Sequence, residues 1–152
     1  GRGPLLGAAM VVAFAVGNTL GRPIWGALFD RFDRITAPAA LGGLGLAILV
    51  LASSPSRPVV LLGGALTVGF CFAAGLVVYA ANTVRRLGPA SMARVYPLVF
   101  LAYGLAALVG PPIGGALRDA SGAPAGALLT AAVVALATGT ALFVKGQAGG
   151  GR

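Results

Sequence analysis

The chain has 152 residues, of which 58% are hydrophobic and only 9% are charged, and its formal net charge is +8. A soluble domain carries about 25% charged residues, so this composition excludes a water-exposed globular protein and indicates an all-α integral membrane protein. The sequence contains no histidine and no glutamate. It therefore lacks the side chains for His-based nucleophiles, for His or Glu metal ligation and for paired-glutamate catalysis, and we expect no enzyme, metal or cofactor.

Five apolar stretches predict five transmembrane helices, because a spanning helix needs about 20 apolar residues. In chain order these helices are predicted at 4–29, 36–53, 58–82, 95–117 and 124–144, within one domain over 1–152. Serine, glycine and proline occupy the last three connectors, as is typical of helix ends. The chain starts with glycine rather than methionine. We therefore expect it to be a fragment of a longer membrane domain.

The 11 basic residues lie between the apolar stretches instead of in one cluster or tail. This distribution argues against nucleic acid as a partner and for a role in orienting helices. Eight cations fall on the side that holds the first connector, the third connector and the C-terminus, and three fall on the other side. The positive-inside rule then predicts a multi-pass protein of the cell (inner or plasma) membrane with a cytoplasmic C-terminus.

An eight-residue phrase closes both the first and the fourth predicted helix. Residues 23–30 and 112–119 are identical at six of eight positions, and both copies begin with Pro-Ile and end with Asp. An odd number of crossings separates the copies, which places them on opposite faces of the membrane. This is the pattern of the inverted repeats found in many secondary transporters. The alternative is chance repetition in a chain with 25 glycines.

Polar side chains are concentrated in the first, third and fourth helices, which are therefore predicted to line a cavity. The second and fifth helices carry few polar groups, and we expect them to pack on the outside against lipid. Glycines four residues apart, Gly17 with Gly21 and Gly110 with Gly114, predict close approach of neighbouring helices.

Arg22 is the first candidate for binding a substrate. It lies about 10 Å inside the end of the first helix, where a charge costs about 2.5–3.5 kcal/mol on insertion scales. Asn18 precedes it by one turn, and Trp25 follows beside the bend that Pro23 predicts. Because a guanidinium matches a carboxylate in geometry, these residues predict an anion site. The alternative is an arginine that snorkels to the lipid headgroups.

A charged turn with Asp30, Arg31 and Arg34 follows the first helix. Membrane topology explains the arginines but not the acid, because acids contribute little to orientation. We expect Asp30 to meet the positive N-terminus of the fourth helix and to hold one side of the cavity shut. We assign further positions of the repeated phrase to the same conformational role, namely Gly26, Pro112 and Asp119.

The residues of this turn resemble a loop signature of the major facilitator superfamily. The family pattern Gly-x-x-x-Asp-Arg-x-x-Arg reads here Gly26-Ala27-Leu28-Phe29-Asp30-Arg31-Phe32-Asp33-Arg34. Further stretches at 18–26, 96–104 and 110–115, with Asp119 and Gly122, resemble the oxalate/formate antiporter and monocarboxylate transporter branch of that family.

The resemblance implies that the chain corresponds to helices eight to twelve of a twelve-helix fold, a partial C-terminal half without the first seven helices. It implies that the eighth, tenth and eleventh helices line the cavity and that Arg22 binds the substrate carboxylate. Oxalate carriers of the branch place a lysine before a glycine in the eleventh helix, where this chain has Tyr103. A monocarboxylate that accepts a hydrogen bond from Tyr103 is therefore implied rather than a dianion, which one cation neutralises poorly.

Together, residues and resemblance predict secondary active or facilitative transport of a small, monocarboxylate-like organic anion by alternating access. The resemblance is to an antiporter, and we expect no cofactor. The expected partners are this anion, the lipid bilayer and the missing N-terminal helices of the same protein. Two alternatives stay open: a superfamily member of unrelated specificity, such as a drug or sugar efflux carrier, and a non-transporting five-helix membrane scaffold.

Overall fold

The computed structural model describes residues 3–53, 57–122 and 124–148 of the chain. These residues form four helices, and the part of each that is described is long and apolar enough to cross a membrane. The helices are α1 (Gly3–Ser53), α2 (Pro58–Leu87), α3 (Pro89–Ser121) and α4 (Ala125–Ala148).

The sequence predicts five helices, and the difference lies in α1, which contains the first two of them. The backbone of α1 leaves helical geometry at Phe32 alone, with φ −134° and ψ 45°. Residues 27–37 contain neither glycine nor proline, the two residue types that most strongly interrupt a helix, so the interruption is confined to one residue. The predicted break is therefore a one-residue kink between two helical segments, here called α1a (3–31) and α1b (33–53).

Segment α1a packs along α2 in the parallel direction. A side chain added at Gly17 would collide with the Leu66 carbonyl oxygen, and one at Gly26 would lie 3.7 Å from the Val77 side chain. The paired residue numbers rise together along both helices, which defines parallel packing.

Segment α1b packs along α2 in the opposite direction. Gly64 of α2 lies against Leu51, whereas the later residue Cys71 lies against the earlier residue Gly43. Because α1a is parallel to α2 and α1b is antiparallel to it, the chain reverses its direction at Phe32.

The link between α2 and α3 is a single residue, Gly88, with φ 79° and ψ 159°. The sequence predicts a longer connector, over 83–94, because hydropathy falls at the charged residues there. Helical geometry instead continues to Leu87 and restarts at Pro89, a proline in the first turn of α3, where its missing N–H costs nothing. A helix can extend beyond the apolar stretch that spans the membrane, so hydropathy underestimates its length.

Helix α3 stands away from the other helices along most of its length. None of its residues is buried, whereas α1 and α2 share a core centred on Trp25, Phe29, Ala73 and Val78. The rings of Phe72 and Tyr103 are 6.2 Å apart. Together with the link at Gly88, this contact makes α3 antiparallel to α2.

Several basic side chains gather at one end of the bundle, called here the basic end, which holds the kink of α1, the α2–α3 link and the end of α4. Arg85 of α2 is 3.3 Å from Asp33 at the kink. A Cβ added at Gly146 of α4 would lie 3.8 Å from the Arg34 carbonyl oxygen. The basic side chains at the basic end are Arg31, Arg34, Arg85, Arg86, Arg94 and Lys145. The cation distribution in the sequence predicts these six on one side, together with Arg22, which lies further inside α1a, and Arg152, which lies outside the described residues.

The two copies of the repeated phrase run in opposite directions. Residues 23–30 lie in α1a, which is parallel to α2, and residues 112–119 lie in α3, which is antiparallel to α2. Asp30 is consequently near the basic end, and Asp119 is near the other end. This is the relative placement that an inverted repeat requires.

Candidate functional site

Arg22 and Asn18 form a polar pair on one face of α1a. The Arg22 Nε–H donates a hydrogen bond to the Asn18 side-chain oxygen over 3.2 Å. The four-residue spacing along a helix brings these side chains together. None of the three acids of the chain forms an ion pair with Arg22 in the described part of the structure. Among the described residues the guanidinium therefore has a neutral amide as its partner and no acid.

Trp25 lies in the α1–α2 interface rather than beside this pair. Its indole is only 7% exposed, and its N–H donates to the Phe70 carbonyl oxygen over 2.7 Å. The Trp25 and Phe70 rings are 5.4 Å apart. Because the one polar group of the indole already has a partner, this placement favours a packing role that fixes the position of α1a.

Tyr103 lies on a cavity of about 520 Å³ between α1b, α2 and α3. The phenol ring is 47% exposed and contacts the rings of Phe72 and Phe100. The other two tyrosines of the chain, Tyr79 and Tyr96, line the same cavity. Neither Arg22 nor Asn18 is among the residues that line it. The structure thus joins Arg22 to Asn18 but does not bring Tyr103 into one site with them.

The charged turn is organised around an acid that the sequence reasoning did not select. Asp33, not Asp30, pairs with Arg85 of α2 at 3.3 Å. The Arg85 guanidinium also lies 4.8 Å from the centre of the Phe29 ring, a cation–π contact. The sequence contains an indication of this pairing, because it places the basic residues 85 and 86 on the same side of the membrane as the charged turn.

The remaining candidate residues of the turn are exposed. Asp30 and Arg34 are exposed side chains, and the Arg31 guanidinium lies 5.5 Å from the centre of the neighbouring Phe32 ring. The expected contact of Asp30 with the N-terminus of the fourth predicted helix has no counterpart among the described hydrogen bonds and ion pairs, so this role stays a prediction.

The candidates within the repeated phrase differ in their surroundings. Gly26 faces Val77 of α2, as described above, and so belongs to the α1–α2 interface. Pro112 and Asp119 lie on exposed positions of α3. Their proposed conformational role stays a prediction.

Comparison with known proteins gives one decisive result: residues 3–149 match the family model of the Major Facilitator Superfamily. The chain belongs to the major facilitator superfamily. Proteins of this superfamily are membrane transporters, so the chain is a multi-pass transporter domain, which agrees with the expectation that it is not an enzyme. No curated protein and no solved structure matches it.

Proposed function

We propose that this major facilitator domain takes part in transport of a small organic anion of the monocarboxylate type, by alternating access across the cell membrane. The observation that carries the proposal is the Arg22 guanidinium, which has an amide partner but no acidic one. A positive charge held in an apolar helix without a counter-ion is suited to an anionic ligand, which supplies the missing charge.

The membrane topology in this proposal has α1 crossing twice. Segment α1a is about 43 Å long and α1b about 31 Å, so each is sufficient for a hydrocarbon core of about 30 Å. With α2, α3 and α4 this gives five crossings, the C-terminal part of a twelve-helix protein whose first seven helices precede this chain. The basic end then faces the cytoplasm, in keeping with the positive-inside rule.

Within this scheme Arg22 and Asn18 bind the carboxylate, and Trp25 holds α1a in position for them. Tyr103 contributes a hydrogen-bond donor from α3 when the complete protein closes around the substrate. Asp30, Arg31 and Arg34 act at the cytoplasmic gate, together with the Asp33–Arg85 pair. Gly26, Pro112 and Asp119 belong to the moving parts of the repeat.

Uptake by the complete protein in proteoliposomes tests the role of Arg22. We expect Arg22→Ala and Arg22→Lys to lower uptake of labelled monocarboxylates by about 10- to 100-fold, the effect of losing a charge-assisted bidentate contact. Arg94→Ala removes the same charge from an exposed position of α3 and serves as the matched control. Membrane insertion should be equal in all variants.

The same experiment separates the proposal from its alternatives. Uptake of neutral sugars or of cationic drugs, unaffected by Arg22→Ala, would assign the domain to another specificity. Unchanged monocarboxylate uptake in both Arg22 variants would remove Arg22 from the site. Absence of any uptake by the complete wild-type protein would favour a membrane scaffold.

A further inference from the structure

The cavity between α1b, α2 and α3 is almost entirely apolar. Its walls are aliphatic and aromatic side chains, and the phenol groups of Tyr79, Tyr96 and Tyr103 are its main polar groups. A volume of about 520 Å³ lies within the range of binding sites for a single drug-sized ligand. No described residue of α4 takes part in its lining.

One face of α2 continues from this cavity to the basic end. Gly75 and Tyr79 line the cavity, and Asn82 and Arg86 follow on the same face, at helical spacings of three and four residues. The distance along the axis from Tyr79 to Arg86 is about 10 Å. Polarity thus rises in one direction, from apolar walls through a phenol and an amide to a guanidinium.

Arg86 has an amide partner and no acidic one among the described residues. Its Nε–H donates to the Asn82 side-chain oxygen over 2.7 Å, which fixes the guanidinium on this face without neutralising it. The neighbouring Arg85 points to another partner, since it pairs with Asp33. Asp30 and Asp119, the other acids of the chain, form no ion pair with Arg86 in the described part of the structure.

We propose that this cavity is a binding site for a long-chain carboxylate, which places its alkyl chain between α1b, α2 and α3 and its carboxylate at Asn82 and Arg86. The apolar walls bury the chain, and the guanidinium provides a charge-assisted contact for the head group. A ligand with one chain suits the volume, and an anionic head suits the uncompensated arginine.

This site is separate from the pair formed by Arg22 and Asn18, which do not line the cavity. The inference therefore does not depend on transport of a small anion. The variants chosen below leave the proposed transport residues unchanged, so failure of one proposal leaves the other standing.

Photolabelling of the complete protein in phosphatidylcholine nanodiscs tests the proposal. The probe is hexadecanoic acid with a diazirine in the middle of the chain, and the labelled residues are identified by mass spectrometry. We expect labels on the cavity walls of α2 and α3. An excess of unlabelled hexadecanoic acid should prevent this labelling. Acetate should not compete, because it lacks the chain.

Two pairs of variants define the site. Gly75→Leu is designed to fill the cavity that Gly75 lines. The backbone tolerates a side chain here, because an added Cβ lies at an ordinary contact distance of 3.8 Å from the Tyr79 ring. Gly63→Leu is its control on the same helix, at a glycine with nothing within 4 Å. Arg86→Gln removes the head-group contact, and Arg94→Gln removes a cation from the neighbouring helix.

We expect Gly75→Leu and Arg86→Gln each to reduce labelling by about five- to ten-fold. For Arg86→Gln this is the effect of losing a charge-assisted contact at a partly exposed site. Both controls should label like the wild type. Should Gly75→Leu fail to fold, Ala102→Leu tests the same cavity from α3. Labelling that neither variant reduces would overturn the proposal. So would equal labelling by the corresponding long-chain alcohol, or displacement by phosphatidic acid but not by hexadecanoic acid.

Discussion

The arginines of this domain differ in the partner that each side chain meets. Arg85 pairs with Asp33 and lies over the Phe29 ring, whereas the hydrogen bonds described for Arg22 and Arg86 each go to a neutral amide one turn away. An ion pair offsets the charge of a guanidinium, but an amide only orients it. The first kind of arginine can fasten two helices, and the second kind is left to attract an anion.

The pairing of Asp33 with Arg85 leads to a prediction about gating. Both side chains are partly exposed, so the pair adds little stability, about 0–1 kcal/mol. We expect Asp33→Asn to leave the melting temperature nearly unchanged while it alters the maximal rate of transport in proteoliposomes. Arg85→Gln should have the same effect, and the double variant should be no worse than either single one. Additive effects would indicate that the two residues act independently.

Asp30 provides a second test of the same gate. We expect Asp30→Asn to slow turnover more than it weakens substrate binding, because the residue lies at the end of α1a and not beside Arg22. Transport kinetics separate the two effects. A loss of affinity with an unchanged maximal rate would contradict a gating role.

A Trp25 variant tests whether this residue packs the helices or binds the substrate. Trp25→Phe keeps an aromatic ring but loses the N–H donor and leaves the Phe70 carbonyl oxygen without this partner. We expect a loss of about 1 kcal/mol in the free energy of unfolding, seen as a lower melting temperature, with little change in substrate affinity. A large change in affinity at unchanged stability would return Trp25 to the substrate site.

At the scale of elements, glycines bring the backbones of α1a and α2 into direct contact in the first part of their interface. Gly17 lies against the Leu66 carbonyl, and Gly69 of α2 lies against the Phe14 carbonyl. A Cβ at Gly21 would lie 2.7 Å from the Phe70 carbonyl oxygen. Glycine is required here because any side chain would separate the helices.

Alanine substitution measures this contact. We expect Gly17→Ala and Gly69→Ala to reduce stability by about 1–3 kcal/mol through overpacking. Gly63→Ala, in an open position of α2, should be neutral or stabilising by up to about 1 kcal/mol, because alanine favours the helix over glycine. Thermal unfolding in detergent gives the comparison, and equal effects at all three positions would contradict it.

The glycine pairs also mark what the sequence predicts and what it does not. Gly17 and Gly21 are in close helix contact, as their spacing predicts, but Gly110 has nothing within 4 Å of an added Cβ. Both pairs have the same spacing, but a glycine pair forms a close contact only where another helix packs against that face. Likewise the charged turn was predicted, but the choice of Asp33 over Asp30 for the contact with Arg85 depends on side-chain direction. The sequence predicts a cavity lined by the first, third and fourth helices, whereas the cavity in the structure has the second predicted helix, α1b, in place of the first. Polarity does not give this lining, because it depends on the relative positions of three helices.

At the scale of the whole molecule, the two ends of the bundle differ in charge. The kink of α1, the α2–α3 link and the end of α4 lie together at the basic end, while Arg57 and Arg118 lie near the other end. Hydropathy and cation counts predict this arrangement because they depend on the order of helices and not on their packing. Helix lengths were predicted less well, because helices continue beyond the apolar stretches.

Cysteine accessibility tests the two-ended arrangement. In a Cys71→Ala background, we expect Ala90→Cys and Lys145→Cys to react with an impermeant maleimide only from the cytoplasmic side of the complete protein. Arg57→Cys and Ala120→Cys should react only from the outer side. Labelling of Ala90→Cys and Lys145→Cys from different sides would contradict the placement of both at one end.

The single-residue link at Gly88 makes α3 a lever. A tilt of about 10° at this pivot would move the far end of a helix about 50 Å long by roughly 9 Å. Since α3 buries no side chain among its described residues, such a swing disturbs mainly its ring contact with α2 and its contacts with the first turns of α4. A small angular change at the basic end would thus be magnified at the opposite side of the membrane, where the volume open to a ligand between α2 and α3 would grow or shrink with it.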